Sequence, residues 1–146
     1  MGFPDRIERS VELPLSPTEL WPVLTTAEGL SSWFPESADV DLRPGGAATM
    51  TWTETHAPTM RVEQVEEPRL FAFSWPLDEN GVDTLPRTYV ELTLQATADG
   101  TRLTVVESGF AQLPEDRYQS TYDGHRDGWE RELGELVDHV LGLVRS

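Results

Sequence analysis

Residues 118–144 read YQSTYDGHRDGWERELGELVDHVLGLV, and their spacing decides the fold. At about 100° per residue with Trp129 as origin, Leu133, Leu136, Val140, Leu143 and Val144 fall within about 60° of it. Run backward, the same arithmetic puts Tyr118, Tyr122 and His125 on that stripe. The spacing predicts one amphipathic helix over roughly the last 30 residues. Its C-terminal half is apolar along the stripe, and its N-terminal half is aromatic but polar-tipped. Gly124 and Gly128 lie on the other side. Each weakens a helix by about 1 kcal/mol relative to Ala, so 124–128 is where this one would break. A long helix with one apolar stripe must bury that stripe against another element.

The rest of the chain supplies that element. Arg6 to Leu13 alternates apolar and polar residues and predicts a half-buried strand, ended by Pro14. Ser16-Pro17-Thr18-Glu19 is a capping box with Pro at the first helical position, flanked by a Leu15–Leu20 staple. The helix it starts contains Pro22, which removes a backbone donor and predicts a kink or an end near Thr25. A second short helix follows over Ala27 to Trp33. Pro44-Gly45-Gly46 is a turn, and Ala48, Met50 and Trp52 then alternate with threonines as a strand. Thr59 to Glu66 is the next strand, broken by Glu67-Pro68. Phe71, Phe73 and Trp75 alternate with Leu70, Ala72 and Ser74; apolar on both faces, this strand belongs at the centre of a sheet. Thr88 to Ala98 and Thr101 to Ser108 alternate around Asp99-Gly100, the strongest hairpin signal in the chain. The order is strand, two short helices, five or six antiparallel strands, then the long helix. An α+β fold follows, a curved antiparallel sheet wrapped around the C-terminal helix. Without repeats or a linker, residues 1–146 are expected to form one domain.

Composition narrows the chemistry. The chain has 26 acidic and 11 basic residues, a formal net charge of −15, and all its basic residues are Arg. Such a charge excludes a nucleic-acid duplex or an anionic membrane surface as the natural partner. It is spread along the chain with no block of like charges, so it reads as a solvated surface. Without Cys there is no disulfide, zinc ribbon, iron–sulfur cluster or thiol nucleophile. Without Lys there is no Schiff base or Walker-type phosphate loop. His56, His125 and His139 show no metal-ligand spacing, so neither metal nor cofactor is expected. No apolar run approaches the ~20 residues of a membrane span, and residues 1–6 lack a signal-peptide core. A cytoplasmic protein without membrane insertion is the expectation.

Several short motifs in order carry a family resemblance. They are Ile7-Glu8-Arg9, Leu20-Trp21 with Leu24, Leu30 to Phe34, Gly45-Gly46, Arg69-Leu70 leading to Phe73-Ser74-Trp75, Gly100 to Thr104, Glu107 to Phe110, and His125 through Gly128-Trp129 with Leu133. From Ile7 to Val144 the chain resembles the SRPBCC, or START-like, superfamily, in the branch named for the activator of heat-shock-protein-90 ATPase homologue. It departs at Pro22, and at Ala48, where that branch often has an aromatic. The resemblance implies a helix-grip fold with an internal cavity between sheet and C-terminal helix.

The cavity is then expected to be lined by Trp33, Phe34, Met50, Trp52, Phe73 and Trp75, with Leu92, Phe110, Trp129 and Leu133. Such sites are mostly apolar with a few placed polar groups. The candidates here are Glu107, Tyr118, Tyr122 and His125, with Arg61 and Glu91 weaker. An inward Glu107 calls for a raised pKa or an Arg partner. The first reading is a protein that binds a hydrophobic or aromatic small molecule, such as a lipid or a polyketide-like compound. The alternatives are an acid–base enzyme of polyketide cyclase or hydrolase type using His125 and Glu107, and a chaperone-ATPase-activator-like interaction module. A homodimer is a fair expectation; a chaperone partner is not the favoured one.

Overall fold

Alternation builds the sheet. In the computed structural model, which describes residues 6–33, 37–51, 59–76, 87–110 and 115–145, Arg6–Leu13 forms strand β1 with Ile7 and Leu13 buried and Glu8, Ser10 and Glu12 exposed. The further strands are β2 (Ser37–Val40), β3 (Ala47–Thr51), β4 (Thr59–Glu66), β5 (Leu70–Pro76), β6 (Arg87–Thr97) and β7 (Gly100–Ser108). They form one antiparallel sheet in the order β1-β7-β6-β5-β4-β3-β2. The strand predicted to be central is central: β5 is fourth of the seven, and Phe71, Ala72, Phe73 and Ser74 are all buried. Strand β2 carries too short an alternation to be read in advance. It holds the sheet edge and pairs with β3 alone among the described strands.

Between β1 and β2 lie α1 (Pro17–Thr25) and α2 (Ala27–Ser31). The capping box is formed: Glu19 N–H donates to Ser16 Oγ at 3.2 Å, and Ser16 N–H to Glu19 Oε1 at 3.1 Å. Pro22 sits inside α1, which ends at Thr25 as the missing donor predicts. Thr26 then serves both helices. Its hydroxyl donates to Pro22 O at 2.7 Å and accepts from Gly29 N–H at 2.9 Å. A cis peptide bond joins Glu67 to Pro68 in the β4–β5 turn.

The β6–β7 hairpin differs in detail from its signal. Thr97 pairs with Gly100, so Ala98 and Asp99 are the two loop residues and Gly100 already belongs to β7. No non-glycine residue among those described has positive φ, which excludes a type I′ turn. Gly100 is required for another reason: a Cβ there would lie 2.0 Å from the carbonyl oxygen of Leu13 on the neighbouring strand.

Helix α3 (Glu115–Arg145) runs unbroken through Gly124 and Gly128 and lies over the inner sheet face. Trp129, Leu133, Leu136 and Val140 join Ile7, Leu103, Val105, Phe71 and Phe73 in the core. Arg9 of β1 meets Glu130 of α3 at 3.3 Å. The buried stripe stops at Val140, since Leu143 and Val144 are 46% and 51% exposed. A helix of 31 residues spans about 46 Å, more than the ~30 Å of a nine-residue strand, so its last turn outruns the sheet. This is the helix-grip arrangement. No described helix is long and apolar enough to cross a membrane.

Candidate functional site

The site is built by strand register and helix spacing. Along β7 the inner face carries Leu103, Val105 and Glu107. Glu107 pairs with Val90 of β6, so Thr88, two residues back, lies on the same face one step along. Trp75 of β5 pairs with Thr88 and shares that face. From above, α3 delivers His125 and Trp129, four residues apart on one side of the helix. Gly109, at φ 109°, lets the chain turn out of β7 two residues after Glu107 and brings Phe110 in beside His125.

These groups converge on one carboxylate. The Glu107 side chain has no exposed surface. Trp129 Nε1–H donates to Oε1 at 2.8 Å and Trp75 Nε1–H to Oε2 at 2.8 Å. The Thr88 hydroxyl donates to Oε2 and accepts from Trp75 Nε1–H at 2.9 Å. His125 Nδ1 stands 3.0 Å from Oε1 and 2.9 Å from Oε2. Aromatic rings wall the cluster. Trp75 stacks on Trp129 at 5.9 Å, and His125 meets Trp75 edge-on at 5.9 Å and Phe110 at 5.5 Å.

Burial alone would push the Glu107 carboxyl up. The hydrogen bond and charge of His125, with Thr88 and Trp75, outweigh burial and hold it below its ordinary 4.5. Burial likewise pushes the His125 imidazole down, and the Glu107 hydrogen bond and charge outweigh it and hold the ring above its ordinary 6.5. Each group therefore favours the charged form of the other. The expectation of a raised pKa or an Arg partner at Glu107 is corrected: its partner is His125, with two indoles and a hydroxyl completing its shell. Separate Glu107 and His125 roles on a substrate do not fit either. Every approach to the carboxylate is occupied, so it cannot take a proton from a bound molecule directly. The open group is His125. Its side chain is 27% exposed, and Nε2 has no hydrogen-bond partner among the described residues.

The other predicted lining residues divide. Met50, Phe73, Leu92, Phe110 and Leu133 are buried in the core shared by sheet and α3. Tyr122 packs edge-on to Phe110 at 5.3 Å, and its hydroxyl donates to Arg6 O at 3.1 Å. Trp33 ties the turn after α2 to α1, with Nε1–H donating to Val23 O at 3.0 Å. Arg61 is exposed and pairs with Glu63 at 2.5 Å. Glu91 sits opposite Ala72 and Val106, off the inner face. Phe34, Trp52 and His56 lie outside the described residues, as does the Tyr118 side chain. Sequence reasoning missed Thr88 and Glu132. Glu132 on α3 has a side chain 7% exposed and an Oε2 without a hydrogen-bond partner among the described residues. Burial, then the charge and hydrogen bond of Glu135, push it up to about 7 against the pull of Arg131. Separately, an open hollow of about 390 Å³ lies by α1. Trp21, Pro22, Leu42 and the Glu67–Pro68 turn line it, with none of the predicted site residues.

A family model described as Activator of Hsp90 ATPase homolog 1-like protein matches residues 14–141. The chain belongs to this family. Solved structures share the fold of this family member. Protein MLL2253 from Mesorhizobium loti is 21% identical with TM-score 0.79, over 92% of this chain and 96% of that one. The Aha1 dimer from Colwellia psychrerythraea is 15% identical with TM-score 0.75, over 92% and 95%. DynU16, a putative protein in the dynemicin biosynthetic locus, is 22% identical with TM-score 0.77. The match covers 94% of this chain but 47% of DynU16, so the chain spans about half that protein's length. No curated protein matches the sequence.

Proposed function

We propose that the protein binds a hydrophobic or aromatic small molecule between the sheet and α3, at the end where Trp75, Phe110, Trp129 and His125 meet. The observation that carries this reading is the polar cluster set among buried aromatic side chains. Fold stability alone does not call for a charge there, because an apolar replacement of similar volume is often as stable as a buried ion pair. Here an ion pair, two indole N–H groups and a hydroxyl all surround one carboxylate, and the histidine at its edge is partly open. Few polar groups in an apolar, aromatic setting is the composition of a small-molecule site. A structure of the same fold comes from a protein of the dynemicin biosynthetic locus, which is in keeping with a biosynthetic small molecule as ligand.

The test is a thermal-shift panel of apolar aromatic compounds and fatty acids. At least one member should raise the melting temperature, since a ligand that binds only the folded state stabilises it. The shift should vanish in Trp75→Phe or Trp129→Phe, which keep most of the packing but remove an indole donor. A crystal structure with a solid core between sheet and α3 sinks the proposal.

Family membership supports a second reading, an interaction module for a chaperone ATPase. An ATPase assay with a bacterial Hsp90 homologue decides it: stimulation supports it, and an unchanged rate rejects it. Two-subunit assembly is part of either reading, supported by the relative solved as a dimer, and sedimentation velocity tests it.

A further inference from the structure

We infer that His125 selects the ligand's charge: the site takes a molecule with an anionic oxygen, a carboxylate or an ionised phenol or enol, on an aromatic skeleton. This rests on the ligand-site reading above and deepens it. Glu107 has no exposed surface, and its two oxygens face Trp75, Trp129, Thr88 and His125 Nδ1, so nothing further can reach it. A carboxylate stripped of water needs a counter-ion, and His125 is the basic side chain in contact with it among the described residues. An imidazolium carries two N–H donors. One is directed at Glu107. The other, at Nε2, has no partner among the described residues, on a side chain 27% exposed. An anionic oxygen completes it better than a neutral one, because a charge-assisted hydrogen bond is roughly twice as strong. The rings of Trp75 and Phe110 meet the imidazole edge-on and favour an aromatic skeleton on the ligand.

Glu107 is then a positioning residue, which fixes the ring and keeps it charged. Among the described residues it is the ionisable group bonded to the ring. Among the described residues the ring also meets Trp75 from β5 and Phe110 beyond β7, with Tyr122 packed on Phe110. On α3 the nearby charges Asp123 and Arg126 pair with each other at 3.2 Å.

The experiment titrates the full chain at neutral pH with 2-naphthoate, 2-naphthalenemethanol and 2-naphthylmethylamine by calorimetry. Naphthoate should bind at least about tenfold tighter than the alcohol, and the amine weakest. In His125→Gln, which keeps a donor toward Glu107 without the charge, the naphthoate-to-alcohol ratio should collapse to near one. Should that variant fail to fold, long-range 1H–15N spectra of the unmodified chain give the same answer. The His125 Nε2 signal should move on adding naphthoate and stay in place with the alcohol. In Glu107→Gln, the naphthoate preference should fade as pH rises through about 6.5, the ordinary imidazole value. With Glu107 present it should persist to higher pH. Equal affinity for naphthoate and alcohol, a preference surviving in His125→Gln, or a motionless Nε2 signal overturns the inference and leaves the ligand site standing. Failure of all three probes to bind overturns the site and the inference together.

Discussion

Glu107 and His125 hold each other in charged form, and each contributes to stability over a definite pH range. The folded pKa of Glu107 is depressed, so its contribution is present above 4.5 and lost as pH falls through the folded value. That of His125 is raised, so its contribution is present below 6.5 and lost as pH rises through the folded value. Removing one partner strands the other. His125→Leu should cost about 3–5 kcal/mol by urea unfolding near pH 6, and Glu107→Leu should cost a similar amount. The double substitution should cost clearly less than the two singles together. Strict additivity would mean that the pair does not interact. Glu132 behaves oppositely to Glu107. With a folded pKa near 7, its contribution is full below 4.5 and lost as pH rises through 7. Glu132→Gln should therefore gain stability over the native chain above pH 7 and show little difference near pH 4. An unchanged pH–stability curve would contradict the burial of that carboxyl.

At the scale of elements, α3 stays whole across its two glycines because side chains on either side of Gly128 are anchored. His125 and Trp129 both reach Glu107, which fixes that turn from the sheet. The glycines themselves meet nothing: a Cβ at Gly124 or Gly128 has no neighbour within 4 Å. Gly124→Ala and Gly128→Ala should each stabilise the chain by about 0.5–1 kcal/mol in urea unfolding. Gly100→Ala should instead destabilise it, by more than the usual ~1 kcal/mol of a point substitution, through collision with the Leu13 carbonyl. The helices, the central place of β5 and the inward side of Glu107 were legible, because periodicity and capping chemistry are local. The partners of Glu107 were not, because they depend on register. With Asp99 and Gly100 as the loop residues, Glu107 would pair with Leu92. The loop is Ala98 and Asp99, so Glu107 pairs with Val90 and Thr88 comes within reach. Nothing local in the sequence distinguishes those two registers, since both keep Glu107 on the inner face.

Over the whole molecule, most described charged side chains are exposed, with Glu107 and Glu132 the buried carboxylates among the described residues. The net charge is −15, and the ion pairs among exposed groups, such as Arg102–Glu12 at 2.7 Å, contribute little each. Self-repulsion should therefore show in bulk behaviour, with added salt raising the melting temperature as it screens the acidic surface. A melting temperature that falls with moderate NaCl would mean that the surface pairs outweigh the repulsion. Inside, the proposed ligand site is the Glu107 cluster and not the hollow by α1. Isotope-filtered NOE spectroscopy of the 13C,15N-labelled chain with unlabelled 2-naphthoate separates the two places directly. Contacts are expected from the naphthalene protons to Trp75, Phe110 and Trp129. Contacts confined to Trp21 and Leu42, or none from a bound ligand to the Glu107 cluster, would contradict it.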